Sequence, residues 1–342
     1  MANIILENLY KYYNKSQLVI NNLNLEIEDG SFTVLLGASG CGKSTILRII
    51  AGLEKESEGN VYIDNKNMKN VEPGDRNIAM VFQNYALYPT MSVKKNIEFG
   101  LKNMKIPKDV REEKILEAVK VVGLKDFIDR KPQHLSGGQR QRVALARAIV
   151  KDPKVFLMDE PLSNLDAKLR TQIRTDLIEL YQKLKTTFLY VTHDQIEAMS
   201  MATKIILLHK GKVKQIGSPI EIYEKPNNVY TAKFIGSPPM NILKKEDGLL
   251  NYDFIPNKAK FIGFRPEKII LNKNLFNSNC IMLKGNIITR ELLGDQILYK
   301  INTDLGIIQA KTFNEAIINE NNCSIYIEEC NLHFFDENEY RI

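Results

Sequence analysis

"FTVLLGASGCGKSTILRIIAGL", residues 32–53, combines a strand signal, a glycine-rich turn and a helix signal in one run. An apolar run leads into the pattern G-x-x-x-x-G-K-[ST], and a helical pattern comes at once after it. That strand–turn–helix context is the one the pattern needs in order to hold phosphate. Its glycines let successive N–H groups turn toward an anion, Lys43 reaches the β/γ oxygens as a point charge, and the Ser44 hydroxyl can ligate Mg²⁺. Chance produces the pattern on the order of one per cent of the time in a chain of this length, given ordinary glycine usage. A purely structural glycine turn is the alternative.

Around this segment, 342 residues exceed the usual size of one domain, so two domains are expected. The longest apolar runs, such as "KIILLHK", stop far short of the ~20 residues that cross a bilayer, and "MANIILENLY" has no basic leader ahead of a long apolar stretch. A cytoplasmic protein is the expectation. Cys41, Cys280, Cys323 and Cys330 form no C-x-x-C pair, which speaks against a disulfide framework or a zinc site. The net charge of +6 sits in the first part: residues 236–342 carry 12 Lys+Arg against 14 Asp+Glu. Without aromatics interleaved in a basic stripe, a solvated Lys-rich surface is favoured over a nucleic-acid patch.

Residues 1–235 alternate short apolar runs with helical patterns, the mark of a mostly parallel sheet covered by helices, an α/β class. Strands are predicted at "FTVLLG", "IAMVFQ", "VFLMDE", "FLYVTH" and "KIILLH". The long helical stretch containing "REEKILEAVKVVGL" is too long for an ordinary crossover, so an inserted helical subdomain is expected over about 88–150. Leu169, Ile173, Leu177, Leu180 and Leu184 recur at helical spacing and read as core packing. After "FIGSPPMN", residues 234–241, short strands with turn residues predict a small all-β domain over 236–342.

Two acids close the strand "VFLMDE", at the carboxyl edge where open α/β sheets bind ligands. Asp159 is the natural holder of Mg²⁺, and Glu160 is suited to orient or deprotonate an attacking water. Gln83 and His193 follow other strands onto the same edge, where each is either functional or an ordinary loop hydrogen-bonder. His134, His209 and His333 carry no functional reading.

"HLSGGQRQRVALARA", residues 134–148, poses a separate question. Ser136 and Gln139 make an S-x-x-Q capping box that starts a helix unaided, yet two glycines sit within it, each costing roughly 1 kcal/mol against alanine in a helix. Either this is a capped helix and nothing more, or something anionic approaches the bare backbone at the helix N-terminus.

Together these residues resemble the nucleotide-binding subunits of ABC transporters. The Walker A segment 37–45, Gln83, "LSGGQ" 135–139, "VFLMDE" with Lys154, "SNLD" 163–166 and His193 occur in family order across about the first 240 residues. The resemblance implies a P-loop ABC ATPase domain binding ATP and Mg²⁺. Gly37, Ser39, Gly40, Cys41, Gly42, Lys43, Ser44 and Thr45 then cradle the nucleotide, and Tyr13 in "KYYNK" is the aromatic that stacks on adenine, with Tyr12 an adjacent candidate. Ser44, Gln83 and Asp159 are implied as metal ligands, and Glu160, His193 and Gln83 as the hydrolytic set.

In this family two copies pair head to tail, which implies that Ser136, Gly137, Gly138 and Gln139 form the second half of a composite site and that Asp166 lies at the nucleotide. The segment "FQNYALYPTMSVKKNIEFGL", 82–101, resembles the part that receives a membrane subunit. Two transmembrane permease subunits and, indirectly, an extracellular solute-binding protein are the implied partners, with the chain on the cytoplasmic face of the membrane.

"GSPPMN" followed by "GFRPE", 263–267, resembles subunits of maltose, oligosaccharide and glycerol-phosphate importers, whose second domain is an OB-like (TOBE-type) β-barrel with a regulatory role. Polyamine, ferric-iron or sulfate import is the runner-up. A soluble ABC ATPase of DNA repair or translation is less suited, because those usually carry a long coiled-coil insertion or two cassettes in one chain.

Overall fold

In the computed structural model, which describes residues 2–14, 17–245, 252–272, 279–313 and 317–342, the chain divides into two units, Met1–Pro219 and Ile220–Ile342. The first begins with strands β1 (Ile4–Asn14), β2 (Gln17–Ile27) and β3 (Phe32–Gly37), followed by helix α1 (Lys43–Ala51). Strands β4 (Glu58–Ile63), β5 (Lys66–Asn67) and β6 (Ile78–Val81) come next, then helices α2 (Val93–Asn103), α3 (Lys108–Val121) and α4 (Gly137–Ile149). The unit closes with β7 (Val155–Asp159), α5 (Ala167–Leu184), β8 (Thr187–Thr192), α6 (Gln195–Met201), β9 (Lys204–His209) and β10 (Lys212–Gly217).

The central sheet runs β10-β9-β3-β8-β7-β6. All its pairings are parallel except that of the edge strand β10 with β9. β3, β7 and β8 are buried along their whole length, as expected where both faces of a parallel sheet are covered. One face carries Leu35, Leu157, Leu189 and Ile206 against Ile46, Ile49 and Ile50 of α1 and the antiparallel sheet β2-β1-β4-β5. The other carries Phe32, Phe156 and Phe188, on which Tyr181 of α5 stands edge-on 5.6 Å from the Phe188 ring. Each such fully buried side chain stabilises the fold by about 1.5–3 kcal/mol relative to exposure.

Helix α1 is held at both ends. Gly42 caps its start in a left-handed conformation (φ +103°) and Gly52 ends it the same way (φ +76°), as glycine tolerates. Arg76 donates to the orphan carbonyls of Ile49 and Ile50, both at 3.0 Å. Helices α2, α3 and α4 share a core of their own, in which Ile97, Leu101, Val119 and Val143 are buried. In α5 the predicted stripe buries Ile173, Leu177 and Leu180, while Leu169 lies against Gly138 of α4.

The second unit contains α7 (Pro219–Glu224), which begins at the boundary, and α8 (Val229–Phe234), then β11 (Asn241–Lys244), β12 (Phe261–Phe264) and β13 (Ile270–Leu271). It ends with β14 (Cys280–Leu292), β15 (Gln296–Thr303), β16 (Gly306–Phe313), β17 (Asn322–Glu328) and β18 (Leu332–Phe335). These strands form an antiparallel sheet β11-β12-β18 and another, β13-β17-β14-β15-β16, around Phe264, Tyr299, Ile301 and Ile325.

The units change at 219/220, ahead of the expected position after 235, because α7 and α8 pack with the β-rich segment on the far side of "GSPPMN". Val229 and Ala232 join Met240 and Phe335 in one cluster. Buried Arg265 donates to the carbonyls of Tyr223, Ala232 and Ile235 and lies over the Tyr223 ring, 4.0 Å from its centre.

Candidate functional site

The parallel strands bring their carboxyl ends to one edge, where the loop 37–45, Gln83, Asp159, Glu160 and His193 end or follow their strands. After β3 the chain turns through 37–42 with the tip, Ala38 to Gly40, exposed. Gly37 can carry no side chain: a Cβ would stand 2.5 Å from the Leu208 carbonyl oxygen and 2.8 Å from Cys41 Sγ. Cys41 packs beneath the loop, and burial pushes its thiol up from the ordinary value. Lys43 is buried, and its ammonium donates to the carbonyls of Gly37 (2.9 Å) and Ala38 (3.0 Å). Tyr13 is exposed at the rim, with its hydroxyl 3.4 Å from Thr45 Oγ1 and the Lys11 ammonium 5.1 Å from its ring centre.

The Ser44 hydroxyl donates to Asp159 Oδ1 at 2.7 Å. Asp159 is the last residue of β7 and only 5% exposed. Beside it Glu160 takes a positive φ of 44°, an uncommon conformation for a side-chain-bearing residue. Its N–H bonds the Val191 carbonyl at 3.0 Å, and its carboxylate lies 3.1 Å from His193 Nδ1. Among the described residues no three His, Cys, Asp or Glu side chains form a group that could hold a metal by themselves. A buried carboxylate facing a hydroxyl still suits a hard cation that keeps most of its ligands from phosphate and water.

Gln83, just past β6, donates from Nε2 to Ser163 Oγ at 3.1 Å, and Ser163 donates to the Glu160 carbonyl at 2.9 Å. Asn164 Nδ2 bonds the Gln83 carbonyl at 3.1 Å. Sequence reasoning assigns a role in "SNLD" only to Asp166 and misses these two polar links. Farther along, Tyr85 and Ala86 both take positive φ, and Arg147 of α4 holds their carbonyls at 2.7 and 2.6 Å. Ala86 of that turn, with Phe82, Tyr88 and Phe99, lines a groove of about 260 Å³.

Ser136 and Gln139 form the expected capping box: Ser136 Oγ accepts from the Gln139 N–H at 3.3 Å, and Gln139 Oε1 from the Ser136 N–H at 2.9 Å. The two glycines have a packing role within the chain. A Cβ on Gly138 would stand 2.7 Å from Leu169 Cδ1, and one on Gly137 3.0 Å from Leu165 Cδ2. Asp166 caps α5, with its Oδ1 accepting from the Leu169 N–H at 2.9 Å. Among the described residues no hydrogen bond joins 136–139 or Asp166 to the loop 37–45.

The family model for ABC transporters matches residues 20–163. The chain is 54% identical over 276 residues to the sn-glycerol-3-phosphate import ATP-binding protein UgpC of Bartonella bacilliformis, covering 80% of each chain. It is 49% identical over 321 residues to the oligosaccharides import ATP-binding protein MsmX of Bacillus subtilis, covering 87% of each. The chain belongs to the ABC transporter ATP-binding proteins. Its first unit has the P-loop ABC ATPase fold and binds ATP. The fold matches the ATP-binding cassette MJ0796, solved as a dimer in a post-hydrolysis state with ADP and Pi, at a TM-score of 0.57 and 35% identity over 63% of this chain and 98% of that one. No helix among the described residues of this ABC protein is long and apolar enough to cross a membrane.

Proposed function

We propose that the chain is the ATP-hydrolysing subunit of a membrane importer for a sugar or a glycerol phosphate. The observation that carries the hydrolytic reading is the meeting of Ser44 with Asp159, and of Glu160 with His193, at one sheet edge. Lys43 exchanges its two carbonyl partners for phosphate oxygens, and Gly37, Ser39, Gly40, Cys41, Gly42 and Thr45 complete the cradle through the loop backbone and the first turn of α1. Tyr13 offers its exposed ring to adenine. Ser44, Asp159 and Gln83 would hold Mg²⁺, whose charge would offset that of the phosphates. Glu160 orients the attacking water and takes its proton, while His193 fixes the carboxylate.

The second anion cradle belongs to a neighbouring copy. Ser136 to Gln139 and Asp166 are tied to α5 rather than to the chain's own loop 37–45, which suits an isologous pair in which each copy completes the other's site. The groove beside Tyr88 and Phe99 receives a segment of one permease subunit, and the same groove of the second copy that of the other, so that closure of the pair moves the transmembrane path. On this reading the chain sits on the cytoplasmic face of the membrane, reached indirectly by an extracellular solute-binding protein, with no role for nucleic acid. The second unit is an OB-like regulatory domain of TOBE type.

The choice of solute is supported by the identity to the glycerol-3-phosphate and oligosaccharide import proteins. Uptake of labelled maltooligosaccharide, glycerol phosphate, spermidine and ferric ion by cells with and without the gene tests it. Carbohydrate or glycerol-phosphate uptake is expected to fall. Selective loss of spermidine or iron uptake, with the others unchanged, overturns the assignment.

A further inference from the structure

We propose that Arg170 is a positioning residue that couples the segment 163–166 to His193. Its Nη2 donates to the Leu165 carbonyl at 3.1 Å, and its Nη1 faces Asp194 Oδ2 at 3.4 Å, the long end of hydrogen-bonding range. A guanidinium is suited to this because its donors diverge from one rigid plane. The remaining donor, Nε, is buried and has no hydrogen-bond partner among the described residues.

Asp194 follows His193 directly and is itself fixed. Oδ1 caps α6 by accepting from the Ile196 and Glu197 N–H groups at 2.7 and 3.2 Å, which leaves Oδ2 for Arg170. The Asp194 N–H donates to Thr192 Oγ1, which donates in turn to the buried Glu197 carboxylate, where Tyr190 also donates. His193 therefore has a fixed backbone and a side chain that is half exposed, 53%.

At the other end, Leu165 lies two residues from Ser163, which bonds both Gln83 and the Glu160 carbonyl. The contacts close a ring: Glu160, His193, Asp194, Arg170, Leu165, Ser163 and back to Glu160. A displacement of 163–166 by the neighbouring copy moves the Leu165 carbonyl, and Arg170 transmits that shift to the turn bearing His193. The inference rests on reading Glu160 and His193 as the hydrolytic pair.

The test uses the purified full chain with its permease partners. Arg170→Ala is expected to lower kcat for ATP about tenfold with KM changed less than about twofold, the pattern of a contact that matters only on the way to the transition state. Arg170→Lys should recover part of the loss. Asp194→Asn keeps an acceptor for the α6 cap but removes the charge, so it should match Arg170→Ala without lowering the melting temperature, and it answers the question if Arg170→Ala fails to fold. The double variant should be no slower than the slower single one.

Either variant retaining kcat within about twofold of the parent, or losses that multiply in the double variant, overturns the role of Arg170. Glu160→Gln run alongside separates the two readings. If it turns over normally, the hydrolytic pair is wrong; if it is inactive while the Arg170 and Asp194 variants are normal, only the coupling fails.

Discussion

Ser44 and Asp159 meet at 2.7 Å although 115 residues separate them in the chain. The contact exists because β3 and β7 both pair with β8, so the helix that leaves β3 starts beside the last residue of β7. The hydroxyl and the carboxylate thus reach one point from opposite halves of the ATPase unit. Glu160, one residue on, is set apart from that point by its left-handed backbone and faces His193 instead.

That division gives the first prediction. Glu160→Gln should keep nucleotide binding, since Lys43, Ser44 and Asp159 are untouched, while turnover falls by about 10²-fold or more for want of the water-positioning carboxylate. An ATP-stabilised dimer on size exclusion is the expected sign, and near-normal turnover of the reconstituted assembly removes Glu160 from the role.

Ser136→Arg should leave nucleotide binding by the isolated subunit intact yet block hydrolysis, because the added cation fills the cradle only when two copies close. Mixing this variant with Lys43→Ala places both defects in one of the two composite sites of the heterodimer. Some turnover should return in the mixture if one intact site suffices. Full activity from Ser136→Arg alone excludes a site shared between copies.

Two glycine substitutions should behave differently. In Gly37→Ala the new methyl meets the Leu208 carbonyl oxygen at 2.5 Å, and backbone cannot swing aside, so a loss of about 1–3 kcal/mol is expected in urea unfolding. In Gly138→Ala the nearest atom is a Leu169 methyl, which can rotate away, and helix propensity returns up to ~1 kcal/mol. Gly138→Ala should therefore lose less stability than Gly37→Ala; the reverse order refutes this account of the two sites.

In the second unit, burial, helped by Arg341 and Arg265, pulls the His333 imidazole down from 6.5 to about 4. The unfolded chain then binds more protons than the folded one between those values, so stability falls as pH drops through that window. Replacement by Gln should flatten the dependence. Urea midpoints of parent and His333→Gln, compared at neutral pH and near the lower end of the window, check this, and parallel slopes count against it.

Much of the site is legible because its residues are written as consecutive motifs next to apolar strands: the loop 37–45 after "FTVLLG", the acids after "VFLM", the His after "FLYVT". The runs "IAMVFQ" and "VFLMDE" overreach the strands they mark, because apolar character alone does not say where a ladder stops; β6 and β7 end before Gln83 and Glu160. Ser163, Asn164 and Arg170 escape assignment since each acts on a carbonyl or side chain brought near only by folding. The glycines of 137–138 have two readings in the sequence. Leu165 and Leu169, from another helix and its approach, supply a third that no local pattern contains.

The register of the central sheet limits how such a chain can change. Leu36 is level with Thr192, and Val191 with Asp159, so three strand ends are aligned like teeth on one comb. Substituting an apolar residue inside β3, β7 or β8 for another leaves that alignment alone, whereas inserting or deleting a single residue reverses which face every later side chain of the strand meets. An apolar exchange inside these strands should therefore be tolerated far better than a one-residue insertion or deletion, which shifts a strand end out of line with its neighbours.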